Sequence, residues 1–182
     1  MDTIGRAGTM VTSEPVRVRR AQRRDAAAIA EIYNQGIIER VATFEDEPRT
    51  VEAMIRWVNE HGQRFPALVG VVGDAVVGWA SVSEYRPRPC YAGIGEFSIY
   101  IDERWRGRGV GRVLLPALID AAERAGFWKL VPRVFPFNTG SRRLCAASGF
   151  REVGAYEKHA QLDGEWLDVI IVERLIPANQ PE

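Results

Sequence analysis

The sequence predicts an α/β (α+β) domain built on a central mixed, mostly antiparallel sheet with helices on both faces. Three observations carry this expectation. Two apolar runs, PALVGVV and AVVGWASVSEY, meet across Gly73 and Asp74 as a hairpin. GEFSIYI follows as a third strand, in which Phe97, Ile99 and Ile101 point one way and Glu96, Ser98 and Tyr100 the other. A helical stripe and then the strand KLVPRVF complete a strand-helix-strand crossover, which brings a parallel pair into an otherwise antiparallel order.

Taken in order, PVRVRRA alternates and reads as the first strand. Asp25 is the expected N-cap of a helix with Ile29, Ile32, Tyr33 and Ile37 on one face, and Thr50 caps a second helix carrying Val51, Met54, Ile55 and Val58. The helix after GEFSIYI carries Val110, Val113, Leu114, Ala117, Leu118 and Ala121 at i, i+3, i+4 spacing; Pro116 within it is expected to kink it or cost it a hydrogen bond. Pro132 inside KLVPRVF implies that one side of that strand lacks ladder partners. A short helix is expected from about Ser141, and two last strands meet at Asp163-Gly164. Trp57, Trp79, Trp128 and Leu130 are assigned to the core. No repeat or linker divides the chain, so a single domain is expected over 15–176, with a disordered tail over 1–14 and a short one over 177–182.

Composition excludes several classes of partner. With 182 residues, 46% of them hydrophobic, the chain can bury one full core, and no window approaches a membrane span. Lys plus Arg equal Asp plus Glu at 24 each, and a formally neutral chain argues against nucleic acid as its main partner. The opening MDTIGRAGTMVT has neither an apolar targeting core nor an Arg-rich amphipathic face. Cys90 and Cys145 form no CxxC and sit near no histidine pair, which implies no metal framework and a reduced, cytoplasmic chain.

The stretch ERWRGRGVGRVLL places Gly107, Gly109 and Gly111 at alternate positions where a helix begins. Bare N–H groups at a helix start form an anion site. A dinucleotide fingerprint fails because Arg112 follows Gly111 where a third spaced glycine is needed, and no Gly-Lys-Ser/Thr ending makes a P-loop. Arg106, Gly109 and Gly111 do match Arg/Gln-x-x-Gly-x-Gly/Ala, and in this element order the chain from about Val16 to Leu175 resembles the GCN5-related N-acetyltransferase (GNAT) superfamily. The resemblance implies acetyl-CoA as cosubstrate, with its pyrophosphate on the loop from Arg106 through Gly107, Arg108, Gly109, Val110 and Gly111 to Arg112. It further implies cofactor contacts from Phe97, Ser98 and Ile99 on the GEFSIYI strand, and from Asn138 and Ser141, which match an Asn-x-x-Ser element; Ser141 also suits a plain N-cap.

Within the superfamily, YRPRPCYAGIGEFSIYI is similar to the phosphinothricin N-acetyltransferase branch, and NQGIIERVATFE, RPCYAGIGE and KLVPRVFPFN are similar to its arsinothricin subgroup. By that resemblance Glu96 takes the proton of the substrate ammonium, Arg86 and Arg88 form a fork for substrate oxyanions, and Phe44 and Tyr91 wall the pocket. Alternation alone makes Glu96 a solvated face residue and the two arginines an exposed loop; Phe44 equally suits the core. Where the superfamily often has a tyrosine, four residues after Ser141, this chain has Cys145, either a thiol acid or a small buried hydrophobe. His159 does not fall on the branch's histidine and receives no role.

The expected activity is acetyl-CoA-dependent acetylation of the α-amino group of a small acidic amino acid or glutamate analogue, without metal, by a homodimer. The alternatives are another amine, such as methionine sulfone, methionine sulfoximine or a protein N-terminus, or an inactive acyl-CoA-binding sensor.

Overall fold

A computed structural model describes residues 14–61 and 64–180, so all but the last residue of the expected N-terminal tail lies outside it. The elements are β1 (Arg17–Arg20), α1 (Ala26–Glu39), α2 (Val51–Glu60), β2 (Ala67–Val72), β3 (Ala75–Glu84), β4 (Ile94–Ile101), α3 (Val110–Arg124), β5 (Lys129–Leu130), β6 (Arg133–Val134), α4 (Thr139–Ala147), β7 (Arg151–Leu162) and β8 (Glu165–Leu175). β1 to β4 are antiparallel neighbours, β4 and β5 are parallel, and β5 and β6 both lie along one edge of β8 while β7 takes the other. The parallel pair is the one that the α3 crossover demands.

Alternation along β2 and β3 sends successive side chains to different layers. Leu68 and Ala80 join Leu114 and Leu118 of α3 on one face, whereas Val69 and Trp79 join Ile29, Ile32, Met54 and Val58 of α1 and α2 on the other. Both faces of the sheet are thereby covered. The Thr50 hydroxyl accepts from the Ala53 N–H at 3.1 Å, as its capping position predicts. The turns at Gly73 and at Asp163-Gly164 take positive φ. No helix among the described residues is long and apolar enough to cross a membrane.

Several local expectations are corrected. Asp25 is the N-cap residue of α1 as expected, but its side chain makes no capping bond to that helix: it accepts from Arg19 at 2.7 and 2.8 Å and, closing the preceding 3-10 turn, from the Gln22 N–H at 2.8 Å. The buried stripe of α3 is Val110, Leu114, Leu115, Leu118, Ile119 and Ala122, with Val113 left 43% exposed, because the sheet meets the helix slightly to one side of the expected face. α3 runs without a break through Pro116, so the expected cost there is the lost hydrogen bond to the Arg112 carbonyl, since proline has no N–H. α4 begins at Thr139, with Asn138 as its N-cap accepting from the Ser141 N–H, so Ser141 is not the cap.

KLVPRVF is split into β5 and β6. The pairs Leu130 with Arg174 and Arg133 with Ile171 keep one register across the gap, and the Val172 N–H still donates to the Pro132 carbonyl at 3.2 Å. Proline cannot return that bond, so the ladder lapses there. Past the expected domain end, Pro177–Asn179 form a 3-10 turn whose Asn179 amide donates to the carbonyls of Glu123 and Phe127.

Candidate active site

The site arises where two strands part. Val131 donates to the Gly95 carbonyl at 2.8 Å, and beyond it β4 and the β5–β6 edge make no further ladder bonds. The alternation that turns the Gly95 carbonyl toward β5 turns the peptide groups of Phe97 and Ile99 the same way, into the opening gap. By the same alternation the peptide groups of Ser98 turn the other way, toward β3. A cavity of about 530 Å³ runs along this side from the α3 start to α4, lined among others by Ile99, Tyr100, Arg106, Gly109, Asn138 and Ser141. A smaller one of about 60 Å³ shares Ile99, Tyr100, Asn138 and Ser141 with it and reaches Phe97, Ser98, Arg133 and Cys145.

The three glycines of the loop separate by role. Gly107 and Gly109 have φ of +73° and +85°, and a Cβ on either would meet nothing within 4 Å. These two turn the chain in front of open space. Gly111 is already in α3, and a Cβ there would stand 2.9 Å from the Leu144 side chain, so its smallness lets α3 and α4 approach. Val110 and Gly111 are the first residues of a 15-residue helix, where amides lack intrahelical partners and the helix dipole is positive. This cradle fits a phosphate-bearing ligand.

Arg106 donates to both oxygens of Glu39, at 2.9 and 2.8 Å, and to the Ile101 carbonyl. Its guanidinium ties the loop to α1. Arg108 stacks on Trp105, and Arg112 is exposed. Just upstream, buried Asp102 accepts from the Arg104 N–H and guanidinium, and those bonds hold its carboxyl below the ordinary carboxylate range. Asn138 is likewise committed, its amide donating to the Val41 carbonyl at 3.0 Å. Arg143, which no motif singled out, also lines the large cavity.

Glu96 lines neither cavity; its side chain is 22% exposed, and both its oxygens accept from Arg133, which lines the smaller one, Nε at 2.8 Å and Nη2 at 2.9 Å. Arg133 Nη1 lies 3.5 Å from His159 Nε2. Phe44 packs edge-on against Phe135 at 4.8 Å and lies 6.5 Å from the His159 ring. Neither Arg133 nor His159 was visible as a site residue in the sequence, because they lie 37 and 63 positions from Glu96 without any motif between them.

Arg86, Arg88 and Tyr91 are not brought into either cavity. They form a compact exposed loop in which Arg86 lies over the rings of Tyr85 and Tyr91 and the Tyr91 N–H donates to the Arg88 carbonyl. Cys145 is 3% exposed beside the smaller cavity; burial, and then the Glu152 charge, push its thiol up to about 11. An ordinary thiol is near 8.5, so handing its proton to a departing thiolate runs uphill by roughly 3 kcal/mol.

A family profile described as Acetyltransferase (GNAT) domain matches residues 18–171. The chain belongs to the GNAT acetyltransferase family. A phosphinothricin N-acetyltransferase of Streptomyces coelicolor is 32% identical over 87% of this chain and 95% of its own length. An L-methionine sulfoximine/L-methionine sulfone acetyltransferase of Salmonella typhimurium is 30% identical over 86% of this chain and 92% of its own. Among solved structures, a GNAT phosphinothricin acetyltransferase from Sinorhizobium meliloti in complex with AcCoA superposes with a TM-score of 0.82 at 30% identity, covering 88% of each chain. The GNAT assignment accounts for the parted strands and the glycine cradle together: both open onto one cavity.

Proposed function

We propose that this GNAT enzyme transfers the acetyl group of acetyl-CoA to the α-amine of a small acidic amino acid or glutamate analogue, of which phosphinothricin and arsinothricin are the model cases. The observation that carries this reading is that the 530 Å³ cavity at the Gly107–Gly111 cradle adjoins, through Ile99, Tyr100, Asn138 and Ser141, the smaller cavity lined by Arg133, the residue that Glu96 pairs with. Acetyl-CoA supplies an activated acyl group as its thioester. The amides at the α3 start take its phosphates, and the inward-facing peptide groups of Phe97 and Ile99 take its amide-bearing arm by completing the ladder that β5 and β6 leave open.

An amine attacks only as the free base, and an α-ammonium is protonated at neutral pH. Glu96 accepts that proton. Nearby donors on β4 meet the negative charge that grows on the thioester oxygen. Cys145, weak as an acid and buried, fills space beside the acyl end. Arg86 and Arg88 supply cationic charge on the substrate side, which favours an amine whose distal end is anionic. Two copies of the chain assemble as the active form.

The test is release of CoA thiol from acetyl-CoA over a panel of amino acids and analogues. Phosphinothricin and arsinothricin are expected to turn over well above glutamine and alanine; no release with any member would remove the reading. A second reading, L-methionine sulfone or sulfoximine as substrate, draws on the name of the Salmonella relative, and the same panel ranks it.

A further inference from the structure

We propose that Arg133 is the receptor for the substrate's α-carboxylate and that Glu96 occupies this receptor until the substrate arrives. This rests on the reading of Glu96 as proton acceptor. The Arg133 fork holds both Glu96 oxygens side-on, which is how a guanidinium receives any carboxylate. Its side chain is 47% exposed and lines the smaller cavity, so an incoming anion reaches it without displacing any backbone.

The fork is also held from behind. Arginine only donates, so His159 Nε2 faces Arg133 Nη1 as an acceptor. His159 sits on a bulge of β7, where Lys158 takes φ +47° and its N–H donates to Asp168 at 2.7 Å. The His159 ring lies 6.5 Å from that of Phe44 and 5.2 Å from that of Tyr156. Arg133 therefore keeps its orientation when its front partner leaves.

A carboxylate with both oxygens on a guanidinium is badly placed to receive a proton from an ammonium. Exchanging it for another carboxylate on the same fork replaces like bonds with like, so the exchange is close to balanced. In an α-amino acid the nitrogen is one carbon removed from the carboxylate. Seating that carboxylate on Arg133 brings the ammonium beside the oxygens just freed. The N–H bond then breaks, an O–H bond forms on Glu96, and the electron pair stays on nitrogen for attack. An amine without the carboxylate has nothing to exchange and leaves Glu96 engaged. Selectivity for amino acids over simple amines follows.

The experiment compares L-phosphinothricin with its decarboxylated analogue, (3-aminopropyl)methylphosphinate, in wild type, Arg133→Met and Arg133→Lys. The ratio of kcat/KM for acid over amine is expected to fall ten- to hundredfold in Arg133→Met, mainly through KM for the amino acid. Arg133→Lys, which keeps the charge and loses the fork, should recover part of it. Unchanged acetyl-CoA affinity by calorimetry shows that the variants are folded. A ratio that stays constant in Arg133→Met, whether both rates fall together or neither does, overturns the inference. Calorimetric titration of the two ligands into the CoA-bound protein reads the same preference without turnover, so failure of the acetylation reading and failure of this one are separate results.

Discussion

At the scale of single residues, the proposed proton chemistry gives Glu96 and Cys145 unequal parts. Glu96→Gln keeps size and hydrogen bonding but cannot accept a proton, so kcat at neutral pH should fall by about 10²-fold or more. Acetyl-CoA affinity should stay unchanged. Part of the deficit should return as pH climbs toward the pKa of the substrate amine, when solution supplies the free base. A variant as active as wild type at every pH would take Glu96 out of the reaction. Cys145→Ala is expected to leave kcat within a few-fold, because its thiol, pushed up to about 11, stays protonated through the working range. The same property predicts the labelling pattern. With iodoacetamide at pH 8 the exposed Cys90 should react first and Cys145 only on unfolding, as mass spectrometry of the modified peptides would show. The face of β4 that carries Glu96 was legible in the alternation of GEFSIYI, whereas its partnership with Arg133 was not.

At the scale of elements, the junction between β4 and α3 carries the cradle, and its glycines should respond differently to substitution. Gly109→Ala has space for its Cβ but forces an L side chain to φ +85°, a cost of about 1–2 kcal/mol in thermal or denaturant unfolding. Gly109→Glu adds a negative charge at the phosphate position, and calorimetry should detect no acetyl-CoA binding while the circular dichroism spectrum is kept. Gly111→Val should instead lower stability by pressing on Leu144. A Gly111→Val protein with wild-type Tm would mean that α4 moves freely with respect to α3. Pro132 shows how far an element can be read from sequence. Its lost N–H is local and was anticipated, but the side of the missing bond depends on where β8 lies, and β8 is some 35 residues further on.

For the whole molecule, three buried carboxylates make stability depend on pH. Burial raises Asp25, but the Arg19 pair and the Gln22 N–H outweigh it; Arg104 lowers Asp102; Lys129, and after it Arg151, lower Glu173 against burial. All three have folded values below their ordinary ones. Their contribution is therefore fully present above the unfolded value of about 4 and is lost as pH falls through the lower folded values. Tm should be nearly level from pH 5 to 8 on this account and should drop steeply below pH ~4. Asp25→Asn should lower Tm at pH 7 and flatten the acid slope; an unaltered slope would exclude Asp25 as a contributor.

The sequence by itself determined the order of elements, the hairpin turns, the capping of α2 by Thr50 and the glycine cradle before α3, because each depends on residues within one or two turns of chain. Tertiary structure decided the rest. Which stripe of α3 is buried, that Gly111 serves helix packing, that Arg106 turns to Glu39, and that Glu96, Arg133 and His159 meet all depend on sheet register and on the point where β4 and β5 part. Periodicity reports which face a side chain takes. It carries no signal for what stands opposite that face when the partner comes from a strand many residues away.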